Sequence, residues 1–192
     1  MARNNNAVLA INTDFYGFRS DGIIIRNGVS YRDNGVRQGL GILRDGGFML
    51  YDETKTNAAQ LLASNVWQGF SFGPWLLDGG TVPANIDKYE IGDFGPVQPG
   101  APGSIQGKQP RTGIGVIGKN RFLLMVVDGR GAGGSQGATM PEFAQMFRDA
   151  GATSAFNLDG GGSSTMYFNG MVVNKPAFGT ERATSDILYI GK

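Results

Sequence analysis

Three dipeptides constrain this chain more than any other feature. Asn27-Gly28, Asp45-Gly46 and Asn169-Gly170 each separate two apolar stretches. Asn-Gly and Asp-Gly supply the positive-φ residues that a tight type I′ hairpin turn demands. Runs 23–25 and 29–31 flank the first, 39–44 and 48–51 the second, 165–168 and 171–174 the third. A fourth hairpin is predicted from 114–117 and 122–127 around Gly118-Lys119-Asn120, with further strands at 8–11, 155–158 and 186–190.

Helix signals are sparse. Thr139-Met140-Pro141-Glu142 fits a capping box, in which the Thr hydroxyl and Glu carboxylate satisfy free amides and Pro is tolerated in the first turn. Phe143, Met146 and Phe147 then share one face, and Gly151 is a natural stop. A second, shorter helix is predicted over 57–64. Glycine and proline crowd residues 92–110, which predicts an irregular loop of the length that serves as a binding loop or lid. No repeat or boundary interrupts the pattern, and 192 residues at 41% hydrophobic suffice for one core. The reading is a single sheet-heavy α+β domain over residues 1–192.

Composition then removes chemistries. The chain has no Cys, so disulfides, thiolate nucleophiles and Cys-based zinc sites are impossible. It has no His, so the Ser-His-Asp triad and the commonest general base go too. Any catalysis must run on carboxylates, Arg, Lys, hydroxyls or backbone amides. A net charge of +1 offers no basic footprint for nucleic acid. The longest apolar run, 122–127, is far below the ~18 residues that would span a bilayer. The polar start Met1-Ala2-Arg3-Asn4-Asn5-Asn6 does not read as a signal peptide, so a cytoplasmic location stays open.

Three glycine patterns invite a nucleotide reading. Gly113-Ile114-Gly115-Val116-Ile117-Gly118 matches GxGxxG but runs on into a strand, which favours a hairpin turn. Gly129-Arg130-Gly131-Ala132-Gly133-Gly134 follows a strand, yet the helix signal waits until Thr139, too late for a dipole to meet a pyrophosphate. The third is Asn157-Leu158-Asp159-Gly160-Gly161-Gly162-Ser163-Ser164-Thr165-Met166. There a strand delivers a carboxylate, then three glycines whose amides can approach an anion or sugar, then three hydroxyls. A wide turn capped by its Asp would look the same. Asp128 ends another strand in the same way, so Asp128 and Asp159 are candidates to share a crevice. Taken singly, Arg111 and Arg182 read as surface ion pairs.

The order of these blocks carries a resemblance. Pro110-Arg111-Thr112-Gly113-Ile114-Gly115, Val127-Asp128-Gly129-Arg130, Thr139 to Ala144, the 157–166 block, Val173-Asn174-Lys175-Pro176 and Glu181-Arg182 together resemble the phosphodiester glycosidase family. The likeness runs from about residue 10 to 190. It implies a twisted, mixed sheet with flanking helices, a secretory or cell-envelope location, and no required cofactor. It also implies hydrolysis of a sugar-1-phosphodiester, small or polysaccharide, that releases a sugar such as N-acetylglucosamine and a phosphomonoester. One departure stands out: the family usually has Asn-Gly-Gly-Phe-Phe near the start, whereas this chain has Asn12-Thr13-Asp14-Phe15-Tyr16.

On that basis Arg111, Arg130 and Arg182 are expected to face the phosphate. Asp159 is expected beside the anomeric carbon or the sugar hydroxyls, and Asp128 as a second carboxylate that activates water or orients an Arg. Gly160, Gly161, Gly162, Ser163, Ser164, Asn12 and Asp14 are expected to bind substrate. Asp14, Asp128 and Asp159 could also hold a hard divalent cation such as Ca or Mg. A non-catalytic glycan-binding module is the alternative, with Trp67, Trp75, Tyr89 and Phe94 lining a pocket unless they simply pack the core.

Overall fold

The computed structural model describes residues 1–92 and 104–192. Part of the predicted 92–110 loop, and with it Phe94, lies outside the described residues. In chain order the strands are β1 (Ala7–Asn12), β2 (Gly22–Arg26), β3 (Val29–Asn34), β4 (Gln38–Leu43) and β5 (Phe48–Asp52). Helix α1 (Ala58–Ala63) follows, then β6 (Val66–Ser71), β7 (Trp75–Leu77), β8 (Arg111–Gly118) and β9 (Arg121–Val127). Helix α2 (Met140–Asp149) precedes β10 (Ser154–Leu158), β11 (Met166–Phe168), β12 (Met171–Val172) and β13 (Ile187–Gly191).

The four predicted hairpins form, but at Asp45-Gly46 only Gly46 is left-handed, φ 81°, so that turn is not of type I′. Asn27 and Gly28 take φ of 54° and 75°, and Asn169 and Gly170 take 44° and 102°. These are the left-handed values that a type I′ turn imposes. The sheet-heavy α+β reading holds, with one adjustment. Every strand ladder among the described residues is antiparallel rather than mixed, and the strands divide into three sheets, β12-β11-β1-β13, β7-β10-β8-β9 and β3-β2-β6-β4-β5. Hairpin connections favour this outcome, because parallel pairs need long crossovers that this chain rarely provides.

Helix α2 carries the predicted capping box: Thr139 accepts from the Glu142 amide, and Glu142 accepts from the Thr139 amide. Its apolar face inserts Phe143 and Phe147, both fully buried, edge to face at 5.1 Å. They lie on the β8 surface at Gly113 and Gly115. A Cβ at Gly113 would stand 2.9 Å from the Phe143 ring and 3.0 Å from the Phe147 ring. The first GxGxxG pattern is therefore a packing floor for a helix, with only Gly118 at the strand end. The second pattern forms a short 3-10 turn at Ala132–Gly134, well before α2 begins. This arrangement places β10 in the interior of its sheet, between β7 and β8, with its C-terminal end opening on the glycine block.

Candidate active site

Asp159 follows directly on β10, and its backbone is fixed from both sides. Its amide donates to the Thr13 carbonyl at 2.8 Å, and its carbonyl accepts from Asn12 Nδ2 at 2.6 Å. Asn12 Oδ1 in turn accepts from the Thr112 hydroxyl at 2.8 Å and the Thr165 amide at 3.1 Å. Buried Asn12 thus ties β1, β8 and the exit of the glycine block into one joint. Both of its side-chain polar atoms make bonds there, and Asn12 also lines a small pocket with Arg182.

The three glycines each answer a different close approach. A Cβ at Gly160 would stand 2.7 Å from the Pro110 carbonyl oxygen, which the Gly161 amide bonds at 2.9 Å. Gly161 has φ of +60°, and the space where its Cβ would go holds the Arg130 guanidinium at 3.2 Å. At Gly162 the same position is taken by the Phe178 ring, 2.7 Å away. The block is more than a wide turn: it is a surface on which an arginine and an aromatic ring lie directly against backbone.

Charge gathers on that surface. Arg182 donates to the Ser163 hydroxyl at 2.6 Å and lies 3.5 Å from Asp159 Oδ2, while its side chain stays 45% exposed. Arg130 reaches the same block from β9's exit, held by Nε to Gln109 Oε1 at 3.0 Å. Its own backbone is left-handed, φ 56°, a conformation that costs a non-glycine residue of order 1 kcal/mol or more. Burial pushes the Asp159 carboxyl up to about 6, against the Ser163 hydroxyl, Arg182 and Arg19, which favour the anion; Asp14 adds to the rise. A carboxyl tuned near neutrality beside the Arg182 guanidinium can accept or hold a proton at working pH.

Other expected residues sit differently. Arg111 is 3% exposed, and its guanidinium is committed to three carbonyls, Ala138 at 2.8 Å, Ile105 at 2.7 Å and Gly107 at 2.7 Å. Burial lowers its pKa to about 10, with Glu142 and Glu90 opposing the fall. Asp128 Oδ1 accepts from Asn174 Nδ2 and the Lys175 amide, both at 3.0 Å. Asn174 also donates to the Ser164 carbonyl at 3.0 Å, so Asp128 braces the glycine block from behind. Ser164 is buried, and its hydroxyl, like those of Thr13 and Thr165, has no hydrogen-bond partner.

Asp14, the departure near the start, is buried beside Asp159 in an ion triad. Its Oδ2 accepts from Arg26 at 3.0 Å and from the Ser71 amide at 3.1 Å, and Arg26 meets Asp186 at 2.6 Å. The Arg26 guanidinium also lies 4.5 Å from the Phe70 ring centre and 5.3 Å from that of Tyr16. Burial opposes its charge, yet Asp14 and Asp186 outweigh it and raise its pKa. Among the described residues no three acidic side chains converge in a way that would hold a metal ion.

Sequence reasoning missed Arg19, Gln109 and Phe178 and gave Thr13 no role within the Asn12–Tyr16 stretch. Arg19, Gln109 and Phe178 carry no motif, and their place in the site is decided by tertiary neighbours. Of the proposed pocket aromatics, Trp75 and Tyr89 pack against the main core, and Trp67 lines a separate apolar cleft of about 1200 Å³ between the sheets.

The antiparallel fold, with an Asp-Gly-Gly-Gly-Ser-Ser block at the end of an inner strand and arginines laid against it, defines a class. The phosphodiester glycosidase family model matches residues 5–191, and the chain belongs to that family. Its fold is that of the zebrafish N-acetylglucosamine-1-phosphodiester alpha-N-acetylglucosaminidase catalytic domain, auto-inhibited by its pro-peptide, with a TM-score of 0.77 and 25% identity. That match covers 100% of this chain and 65% of the zebrafish one. An uncharacterized SPbeta prophage-derived protein of Bacillus subtilis (strain 168), YomE, is 30% identical across 99% of this chain, which spans 29% of its length. A putative exported protein of Burkholderia pseudomallei shares the fold at a TM-score of 0.52 and 20% identity, over 96% of this chain and 54% of its own.

Proposed function

We propose that residues 1–192 act as one hydrolytic unit that cleaves a sugar-1-phosphodiester, releasing the sugar and a phosphomonoester. The observation that carries this reading is the Arg182 guanidinium, bonded to Ser163 and 3.5 Å from the buried Asp159 carboxylate, with Arg130 laid on the adjacent Gly161.

Ordinary glycosidases pair two carboxylates because an alcohol must be protonated as it leaves. A phosphomonoester leaves as a stabilised anion, its second pKa being ~6 in the phosphoserine case. Cationic complementarity is what such a departure requires, and arginine gives bidentate donors that stay charged. Arg130 and Arg182 would take the phosphate oxygens. Ionised Asp159 would work on the sugar side: it receives the proton of the attacking water as the water oxygen bonds the anomeric carbon. The bond from that carbon to the phosphate oxygen breaks with its electrons, leaving the monoester dianion or its protonated form. Lack of histidine is no handicap in this scheme.

The supporting residues follow from the same geometry. Arg111 would hold the 105–107 carbonyls and Ala138 in place, Asp128 would brace the glycine block, and Asn12 would fix the height of Asp159. Burial, with a smaller contribution from Asp14, would keep the Asp159 proton affinity high. The zebrafish relative supports N-acetylglucosamine in α linkage as the first sugar to try, and the exported relative supports a location outside the cytoplasm. Among the described residues no helix is long and apolar enough to cross a membrane.

The test is a panel of sugar-1-phosphodiesters and nucleotide sugars, with reducing sugar and phosphomonoester assayed separately. Equal release of both from a sugar-1-phosphodiester is the expected result. Saturable binding without either product would replace the hydrolase with a glycan-binding module. Release of an alcohol and a sugar phosphate would reverse the bond assignment.

A further inference from the structure

We propose that Phe178 is the platform on which the substrate's pyranose ring stacks, a role that rests on the glycosidase reading above. Phe178 is 65% exposed, among the largest exposures of any aromatic side chain described. Leaving that much ring in water forfeits the favourable transfer that burial would give. It is held there by local structure. The Gly179 amide closes a tight turn on the Pro176 carbonyl at 2.9 Å, and Gly179 itself has φ of +75°. Phe178 therefore occupies the third position of the turn, from which its side chain projects away from the chain on either side.

The ring is also placed, not merely exposed. It rests on Gly162, whose missing side chain gives it room, and the Arg130 guanidinium lies 5.6 Å from its centre. Arg182 Cδ approaches the same Gly162 position at 3.6 Å, so the ring, both arginines and the glycine block share one surface. A phosphate held by Arg130 and Arg182 would leave the attached ring beside Asp159 and against Phe178. Sugar rings carry C–H groups on their faces, and an aromatic face with a polar rim receives them well. A stiff side chain with two rotatable bonds loses little entropy when it takes such a ligand.

Two variants and one binding assay test this. Phe178→Ala should raise KM for sugar-1-phosphodiesters about tenfold, with kcat changed less than about threefold, and Phe178→Trp should restore it. The thermal midpoint of Phe178→Ala should stay within a few degrees of the parent, because an exposed ring contributes little to the core. In parallel, NMR titration with free N-acetylglucosamine should show saturable binding to the parent that Phe178→Ala weakens about tenfold. An unchanged KM in Phe178→Ala, while the parent hydrolyses normally, would overturn the platform and leave the enzyme standing. So would a KM effect that tracks the size of the group beyond phosphate rather than the sugar. Sugar binding that depends on Phe178 in a protein without turnover would keep the platform and reject the hydrolase. Absence of any saturable sugar binding by the parent would reject the platform too.

Discussion

Arg182 and Asp159 form an unequal pair: the guanidinium side chain is 45% exposed, and the carboxylate 3.5 Å away is 12% exposed. The cation, though bonded to Ser163, is open to a ligand from solvent, while the anion is enclosed. When Arg182 turns to a phosphate, Asp159 loses a partner in a poorly solvated place, and its affinity for a proton rises. In the proposed hydrolase, binding of an anionic substrate and proton acceptance at Asp159 would be coupled through this one contact.

Replacing Asp159 with Asn separates function from stability. Turnover should fall about 100-fold or more if the carboxylate is the proton acceptor. Stability should move the other way. A carboxyl raised to about 6 in the folded state, against an ordinary value near 3.9, favours folding at low pH and loses that contribution as pH climbs through 6. Asp159→Asn should then be more stable than the parent by about 3 kcal/mol at pH 8, with the difference gone below about pH 4. Urea unfolding at both values reads it directly, and a variant destabilised at pH 8 would refute the account.

The same carboxyl sets a pH–rate expectation. If ionised Asp159 is the group that acts, kcat/KM should rise about tenfold per pH unit below about 6 and level off above it. A profile that falls through that region would instead make Asp159 a proton donor to the departing oxygen, and the water-activating role would have to move elsewhere.

Two arginines that look alike in sequence should behave as opposites. Arg182→Ala removes an exposed cation, so kcat/KM for the phosphodiester should drop about tenfold or more while the thermal midpoint holds. Arg111→Lys keeps the charge but cannot reach three carbonyls arranged around a planar guanidinium, so the midpoint should fall by several degrees. The activity of whatever remains folded should be close to the parent's. Calorimetry with activity per folded molecule distinguishes the two, and a thermally neutral Arg111→Lys would return Arg111 to the phosphate side.

How much of this was legible beforehand follows the range of the forces involved. The hairpins were readable because Asn-Gly and Asp-Gly state their backbone angles locally, and α2 because Thr139 and Glu142 cap within one turn. Asp159 was readable from its strand and its glycines. Arg111 was not, since nothing near it in sequence reveals that Ile105, Gly107 and Ala138 turn their carbonyls inward. Phe178 was equally silent: one Phe in a turn looks like any other until Gly162 and Arg130 are brought under it. Asp14 could be seen as a departure, but its clamp by Arg26 depends on a tertiary contact that also brings in Asp186 from the far end of the chain.

That clamp gives a further expectation. Arg26→Met leaves Asp14 and Asp186 buried without their shared cation, which should cost about 3–5 kcal/mol at pH 8. Burial already raises the Asp186 carboxyl to about 6, and loss of the guanidinium raises it further. Protonation of Asp186 then removes one of the two unpaired charges, so the deficit relative to the parent should shrink as pH falls toward 5. Denaturant titrations at pH 5 and pH 8 check it; an equal deficit at both would show that the apolar stem, not the charge, matters.

The glycines of the first GxGxxG pattern allow a direct choice between a ligand loop and a packing floor. A methyl at Gly113 would press on both Phe143 and Phe147 at about van der Waals overlap, 2.9 and 3.0 Å, and neither ring can retreat from a filled core. Gly113→Ala should therefore cost about 1–3 kcal/mol as α2 is levered off the sheet. A methyl at Gly118, at the end of β8, meets nothing within 4 Å and needs no left-handed backbone, so Gly118→Ala should be near neutral. In a phosphate-binding loop the ranking would differ, because both glycines would face the ligand and neither would lie under a helix. Paired urea melts settle it: a neutral Gly113→Ala would mean that the two aromatic rings do not anchor α2 where β8 receives them.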